Sequence, residues 1–238
     1  MRMHSTCPAI TISLALVLWS TAPGSEHTAG PVKNGQAGKQ EGNRILWDFD
    51  GVAPGSLPKN WRVAETNGKG KPGKWQVRAG LNAPSAPNVL ALTQTENTGD
   101  TYNLVLAGDT RCQDMELEVK LRALSGQKDR GGGLIWRVSN PNNYYLARWD
   151  PLEHNLRLYF VKAAKRTQIA SIDVTTDSTA WHTIRVAHVG NKIKVAFDGK
   201  ALIEKEDATF PSAGLVGLWT KADASTAFDN LKVELKTP

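Results

Sequence analysis

Three consecutive segments carry the residue types best suited to chemistry. They are Gly133-Leu-Ile-Trp-Arg-Val138, Asn143-Tyr-Tyr-Leu-Ala-Arg-Trp149 and Asn155-Leu-Arg-Leu-Tyr-Phe-Val161. In a strand, successive side chains point to opposite faces. Arg137 then opposes Leu134, Trp136 and Val138, while Tyr144 and Arg148 share a face with Leu146. Arg157 and Tyr159 oppose Leu156, Leu158 and Phe160. If the strands register these faces together, one surface carries Arg137, Tyr144, Arg148, Arg157 and Tyr159. Guanidinium forks donate to hydroxyls or carboxylates, and phenol rings offer flat amphipathic area. That mixture suits a sugar, with its apolar C–H faces and many hydroxyls. An ordinary polar outer sheet face has the same pattern. The loop Asp150-Pro-Leu-Glu-His154 joins two of these segments and holds two acids and a histidine in five residues. Loops at strand ends commonly carry chemistry.

The elements that must position these groups read as strands almost throughout. More than ten segments of five to ten residues alternate apolar and polar, punctuated by Gly, Pro, Asn and Asp. Met115-Glu-Leu-Glu-Val-Lys-Leu-Arg122 alternates most cleanly, with an apolar face opposite Asp114, Glu116 and Glu118. Those acids read as a solvated face or as paired carboxylates. Gly190-Asn191 and Asp198-Gly199 sit where two-residue hairpin turns belong. Gly131-Gly-Gly133 enters a strand, which points to close backbone approach and not to a nucleotide loop. No segment shows a sustained 3.6-residue period, so the fold class is all-β: a sandwich, jelly roll or barrel.

Ile10-Thr-Ile-Ser-Leu-Ala-Leu-Val-Leu-Trp19 is an apolar run behind a short basic start, with small residues at Ser20, Ala22 and Gly24. It reads as an export signal over residues 1–24, with an uncleaved anchor as the alternative. Residues 25–43 read as a disordered leader, and residues 44–238 as one domain. The expected location is secreted or periplasmic, with no membrane span after signal cleavage. Cys7 leaves with the signal, so Cys112 has no disulfide partner and reads as a small core residue. Removal of residues 1–24 lowers the basic count from 29 to 28 against 23 acids, a net charge of +5. The charges are scattered and no basic block is interleaved with aromatics, which argues against a nucleic-acid partner.

Several pieces in order resemble one family. They include Trp47-Asp-Phe-Asp50, Leu57-Pro-Lys-Asn-Trp61, Gly132-Gly-Leu-Ile-Trp-Arg137, Asn142-Asn-Tyr-Tyr-Leu-Ala-Arg148, Trp181-His-Thr-Ile-Arg185 and Val216-Gly-Leu-Trp-Thr-Lys-Ala-Asp223. Together, over residues 44–236, they resemble the 3-keto-disaccharide hydrolase-like domain of the concanavalin A-like lectin/glucanase superfamily. The resemblance implies a jelly-roll β-sandwich of two antiparallel sheets with a concave face able to hold a glycan. It implies a carbohydrate ligand and raises a hydrolase or lyase acting on 3-keto-disaccharides. In an elimination, His154 or Glu153, beside Asp150, would be the base, and Arg148 or a metal would polarise the ketone. The Glu-x-Asp-x-x-Glu strand of retaining family-sixteen glucanases is absent; Asp114-Met-Glu-Leu-Glu118 lacks its spacing.

On the late strand, Trp219 and Lys221 alternate with Leu218 and Thr220. Trp219 stacks on a pyranose or fills the core; both readings stay open. The resemblance places Asp48, Asp50 and Asp229 near the joined chain ends, where cousins hold a structural calcium. Turn capping is the alternative. The leading expectation is a secreted carbohydrate-binding domain. A 3-keto-disaccharide hydrolase or lyase and a structural envelope module are the alternatives. The oligomeric state is not legible.

Overall fold

The computed structural model describes residues 38–69 and 71–236. The expected signal, 1–24, and leader residues 25–37 lie outside the described residues. Sixteen strands follow in order: β1 (Lys39–Glu41), β2 (Arg44–Trp47), β3 (Trp61–Thr66), β4 (Lys74–Ala79), β5 (Asn88–Gln94), β6 (Tyr102–Cys112), β7 (Met115–Ser125) and β8 (Gly132–Asn140). Then come β9 (Asn143–Asp150), β10 (Asn155–Lys162), β11 (Lys165–Asp173), β12 (His182–Val189), β13 (Lys192–Phe197), β14 (Lys200–Glu206), β15 (Gly214–Lys221) and β16 (Ser225–Leu235). Strand β1 pairs with β2, so ordered structure begins ahead of the expected boundary at residue 44.

The strands form two antiparallel sheets, one of nine strands and one of seven. The first runs β1-β2-β16-β7-β12-β13-β14, with β5 joined to β16 and β4 to β5. The second runs β11-β10-β9-β8-β15-β6-β3. This is a concanavalin A-like jelly roll. Alternation explains the first sheet: Met115, Leu117, Val119 and Leu121 of β7 are fully buried in the sandwich core, while Glu116 and Glu118 face outward to Arg185 and Lys232. Both expected hairpin turns are present, between Val189 and Lys192 and between Phe197 and Lys200. Cys112 is buried and free, and burial pushes its thiol up to about 11, so it is an inert core residue.

The seven-stranded sheet is different. Its middle strands are buried on both faces. One face joins the sandwich core. The other forms a second apolar cluster that includes Leu104, Leu106, Ile135, Leu146 and Val161. Curvature brings this outer face together. Three strands separate β3 from β9, which in a flat sheet is about 19 Å at the usual strand spacing. Yet Thr66 Oγ1 lies 2.9 Å from the Tyr144 hydroxyl and donates to the Pro141 carbonyl at 2.5 Å. Asn67 Nδ2 donates to Ala164 O, in the β10–β11 turn, at 3.3 Å. Two diagonal corners of the sheet therefore meet, and the outer face becomes a trough filled by its own side chains, Leu104, Tyr144, Leu146 and Trp219 being fully buried, with its opening at Asn67, Asp100, Tyr102 and residues 163–166.

Inside the sandwich, Trp136 Nε1 donates to His188 Nδ1 at 2.9 Å. His188 is fully buried, and burial together with the Arg137 charge lowers its pKa to about 3. The unfolded chain takes up this proton near pH 6.5 and the fold refuses it. Stability is thus full above about pH 6.5 and falls as pH drops toward 3, by on the order of 4 kcal/mol for this group. His188→Gln, which keeps an acceptor for the indole, is expected to flatten urea-denaturation stability between pH 6.5 and 4 relative to the parent. An unchanged pH slope would remove His188 from this role.

Candidate functional site: the curled face of the seven-stranded sheet

Strand register fixes which side chains share the trough. Arg157 stands opposite Arg148, and Arg148 opposite Gly133. Gly133 is opposite Trp219, and Trp219 opposite Leu104. The next row sets Tyr159 against Leu146 and Leu146 against Ile135. Tyr144, Arg148, Arg157, Tyr159, Trp219 and Lys221 therefore lie on one face. A Cβ at Gly133 would run into the Ala147 carbonyl. Only glycine lets β8 and β9 approach so closely, and it leaves the floor low between the Arg148 guanidinium and the Trp219 indole.

Trp219 lies on this face and is fully buried, its ring 5.3 Å from Tyr102, as the core reading expects. Tyr144 is buried beside it, and burial, opposed by the Thr66 hydrogen bond, raises its phenol well above the ordinary value. Three donors on this face are enclosed without hydrogen-bond partners, Arg148 Nε, Arg148 Nη1 and Arg166 Nη1, and Trp219 Nε1 has only the Tyr144 hydroxyl beside it, outside good hydrogen-bond geometry. Such groups are uncommon in native folds because each costs about 1–3 kcal/mol unless something accepts from it.

One end of the trough is densely charged. Arg148 is 1% exposed, donates through Nη2 to Glu153 Oε2 at 2.8 Å, and has Nη1 2.7 Å from Asp150 Oδ2 without hydrogen-bond alignment. Burial works against its charge, but the Tyr159 phenol, Asp150 and Glu153 raise its pKa further, so it stays a cation. Arg157 donates to the same Glu153 oxygen at 2.6 Å. Two arginines directly across a strand pair repel, and Glu153 neutralises both. Burial opposes its charge, yet the Arg148 hydrogen bond and charge, with Asn155 and Arg157, hold it at about 2. Asp150 Oδ1 accepts from the Leu152 and Glu153 amides and shapes the turn.

Asp129, in the β7–β8 loop, completes this end and was missed in the sequence. It is 3% exposed, with Lys221 Nζ 3.1 Å from its Oδ2. Burial, and then the Asp150 charge, push its carboxyl up to about 6 against the pull of Arg148 and Lys221. The Asp223 carboxylate accepts from the Gln127, Lys128 and Asp129 amides and holds that loop in place. No local signal marked Asp129, because its partners lie more than 90 residues away for Asp223 and Lys221.

Arg137 is corrected from the expected face. A register slip after Trp136, with φ of 47° at Arg137, turns its side chain away. It donates to the carbonyls of Gln113, Phe210 and Gly190 and pairs with Asp114 at 3.3 Å, tying loops at one end of the sandwich. His154 sits exposed in its turn with φ of 52°, and the charged pairs above form without it. Asp48, Asp50 and Asp229 each serve separate partners, as the turn-capping alternative expects. Asp229 accepts from the Ser85 amide and hydroxyl, Asp50 from the Asn88 amide, and Asp48 pairs with Lys39. Among the described residues no set of three or more His, Cys, Asp or Glu side chains is arranged to hold a metal. No helix among them is long and apolar enough to cross a membrane.

Two antiparallel sheets of nine and seven strands in this order define the concanavalin A-like jelly-roll class. The sequence matches the 3-keto-alpha-glucoside-1,2-lyase-like domain over residues 48–234, and the chain belongs to that family. Among solved structures it is similar to the carbohydrate binding module CBM66 from Bacillus subtilis, with TM-score 0.56 and 20% identity, covering 73% of this chain and 94% of that one. A Bacillus licheniformis beta-glucanase gives TM-score 0.55 and 13% identity, covering 83% and 100%. The GH43 protein BlXynB of the same species gives 0.57 and 16%, covering 83% of this chain and 40% of that one. No curated protein matches the sequence. At these identities the structural likenesses establish the fold.

Glu153→Gln leaves Arg148 and Arg157 opposed. Its side chain is 42% exposed, so solvent screens the loss, and destabilisation of about 1–2 kcal/mol is expected by urea denaturation at pH 7. The deficit should shrink in high salt. It should also vanish as pH falls from about 4.3 toward 2, where the parent protonates the same carboxylate. Equal stability of the two proteins at pH 7 and low salt would contradict this.

Proposed function

We propose that the protein engages a glycan in the trough of the seven-stranded sheet. The observation that carries this is the set of enclosed donors left without well-aligned partners, Arg148 Nε and, beside the Tyr144 hydroxyl, Trp219 Nε1, set among aromatic rings on one curled face. A pyranose supplies what they lack. Trp219 and Tyr144 are covered in the free chain, so a pyranose reaches them where the Arg166 side of the trough opens; its C–H face then packs on the rings, and its ring and hydroxyl oxygens accept from the two donors. The family match and the carbohydrate-binding neighbour support the reading. The apolar run before Trp19 supports a secreted or periplasmic location. The chain without residues 1–24 should bind oligosaccharides on a glycan array. Trp219→Ala should weaken that binding tenfold or more, and Trp219→Phe, which keeps a ring but loses the N–H, by less. Circular dichroism would verify the fold of each variant. Folded variants that bind like the parent would sink the proposal.

Asp129 favours a second reading, turnover of a 3-keto-glycoside. A carboxyl near 6 is poised as a general base close to neutral pH. Asp129 would take the proton from carbon 2, alpha to the ketone. The electron pair left behind forms an enolate whose oxygen Lys221 or Arg148 stabilises. The bond from carbon 1 to the aglycone oxygen then breaks, and that oxygen is protonated as it leaves. Glu153, held near 2, is too weak a base for this step. With methyl 3-keto-α-glucoside, Asp129→Asn is expected to lower kcat at least 100-fold. The acid limb of the parent's kcat/KM profile should fall near pH 6, while His154→Ala stays within twofold. Turnover lost with His154→Ala and retained in Asp129→Asn would overturn the assignment.

A further inference from the structure

Arg166 belongs to neither role above. It stands on the edge strand β11, opposite Val161, yet its guanidinium carbon lies 4.5 Å from the Tyr159 ring, 5.3 Å from Tyr102 and 6.0 Å from Trp219. Tyr102 is on β6, five strand positions away along the sheet order. Only the curl brings them together. No carboxylate among the described residues lies within ion-pair distance of Arg166, although Asp100 lines the same cleft. Aromatic faces stabilise a guanidinium through its plane. They leave the N–H edges unspent, and here Nη1 is enclosed and without a partner.

The turn that delivers Arg166 is held in an unfavourable backbone state. Ala163 and Ala164 have φ of 49° and 63°, a region that costs an L-residue with a Cβ roughly 1–2 kcal/mol and that two-residue hairpins usually fill with Asn or Gly. Three hydrogen bonds pin it: Ala163 N to Asn143 Oδ1, Ala164 N to Asn142 O, and Asn67 Nδ2 to Ala164 O. Backbone strain of this kind persists where surrounding contacts over-determine it, and it gathers at ligand sites. A cleft of about 630 Å³, lined by Asn67, Asp100, Tyr102 and residues 163–166, opens beside the guanidinium.

We infer that Arg166 selects an acidic sugar, its free N–H edge receiving the anionic group of a glycan seated in the cleft lined by Asn67, Asp100, Tyr102 and residues 163–166. This rests on the trough being the glycan site. A carboxylate matches the planar fork with two oxygens, and a sulfate ester presents the same acceptors. A neutral sugar leaves the charge uncompensated.

The test is calorimetric titration of the chain without residues 1–24. The probes are galacturonate and glucuronate oligosaccharides, the methyl esters of each, and a sulfated galactan oligosaccharide with its desulfated form. At least one charged member should bind tenfold or more tightly than its uncharged twin, and the pair that does so identifies the anionic group. Arg166→Gln should bring that pair to equal affinity, while Arg166→Lys retains part of the preference. Binding of charged and uncharged twins alike, or a preference untouched in Arg166→Gln, would overturn the inference and leave the glycan site standing. Absence of binding by every member would overturn both.

Discussion

Thr66 and Asn67, at the end of one edge strand, hydrogen-bond to Tyr144, Pro141 and Ala164 on the far side of the same sheet. The curl these contacts hold is the constraint from which the rest follows. A flat seven-stranded sheet would set Arg166 and Tyr102 about 24 Å apart at the usual spacing, and the outer face would be an ordinary solvated surface. Curled, that face encloses its own apolar cluster. It gathers three tyrosines and a tryptophan, and it withdraws Arg148 from water. Charges in such a place interact strongly because solvent screens them little. That is why the Arg148–Glu153–Arg157 bridge holds Glu153 low, while burial and Asp150 raise Asp129 in spite of Lys221.

The curl also accounts for the glycines. Gly132, Gly133 and Gly217 sit where a Cβ would meet the backbone of a neighbouring strand. Tight coiling presses strands together on the inner side of a bend, and glycine is the residue that permits it. Of these, Gly133 also leaves the trough floor without a side chain between Arg148 and Trp219, whereas a Cβ at Gly132 would meet Phe228 in the sandwich core. Gly133 therefore serves both the bend and the space it encloses.

Much of this was legible in the sequence, for physical reasons. Strict alternation in β7 names its core face outright, and Asp-Gly and Gly-Asn mark hairpins because they tolerate positive φ. The shared face of Tyr144, Arg148, Arg157 and Tyr159 followed from period two and a plausible register. Arg137 broke the scheme because one irregular residue moves a side chain to the other face, and a bulge there has no strong local signature. Asp129 and Arg166 were illegible for a different reason. Their chemistry comes from partners brought close by the curl and by the Asp223 clamp, and such long-range contacts leave no spacing to read. Continuous apolar runs such as Leu104-Val-Leu-Ala107 did carry a hint, since a strand buried on both faces need not alternate.

The two ends of the trough are electrostatically unlike, and this bears on how a ligand would lie. At one end Asp129, Asp150 and Glu153 face Arg148, Arg157 and Lys221, a mixed set close to neutral overall. At the other, Arg166 stands among π-faces with no carboxylate paired to it. An anionic group entering the first end meets Asp129 and Asp150 at close range, while at the second it meets an uncompensated cation. The field along the trough therefore favours one direction for an acidic chain, with its charge at Arg166 and an uncharged sugar ring beside Asp129 and Lys221. That orientation would present a ring carbon, and not a carboxylate, to the one carboxyl whose surroundings set it near neutral pH. Recognition and proton transfer then need not compete for the same residues, although the two charged regions meet at the Tyr159 ring, whose centroid lies 5.9 Å from the Arg148 guanidinium carbon and 4.5 Å from that of Arg166.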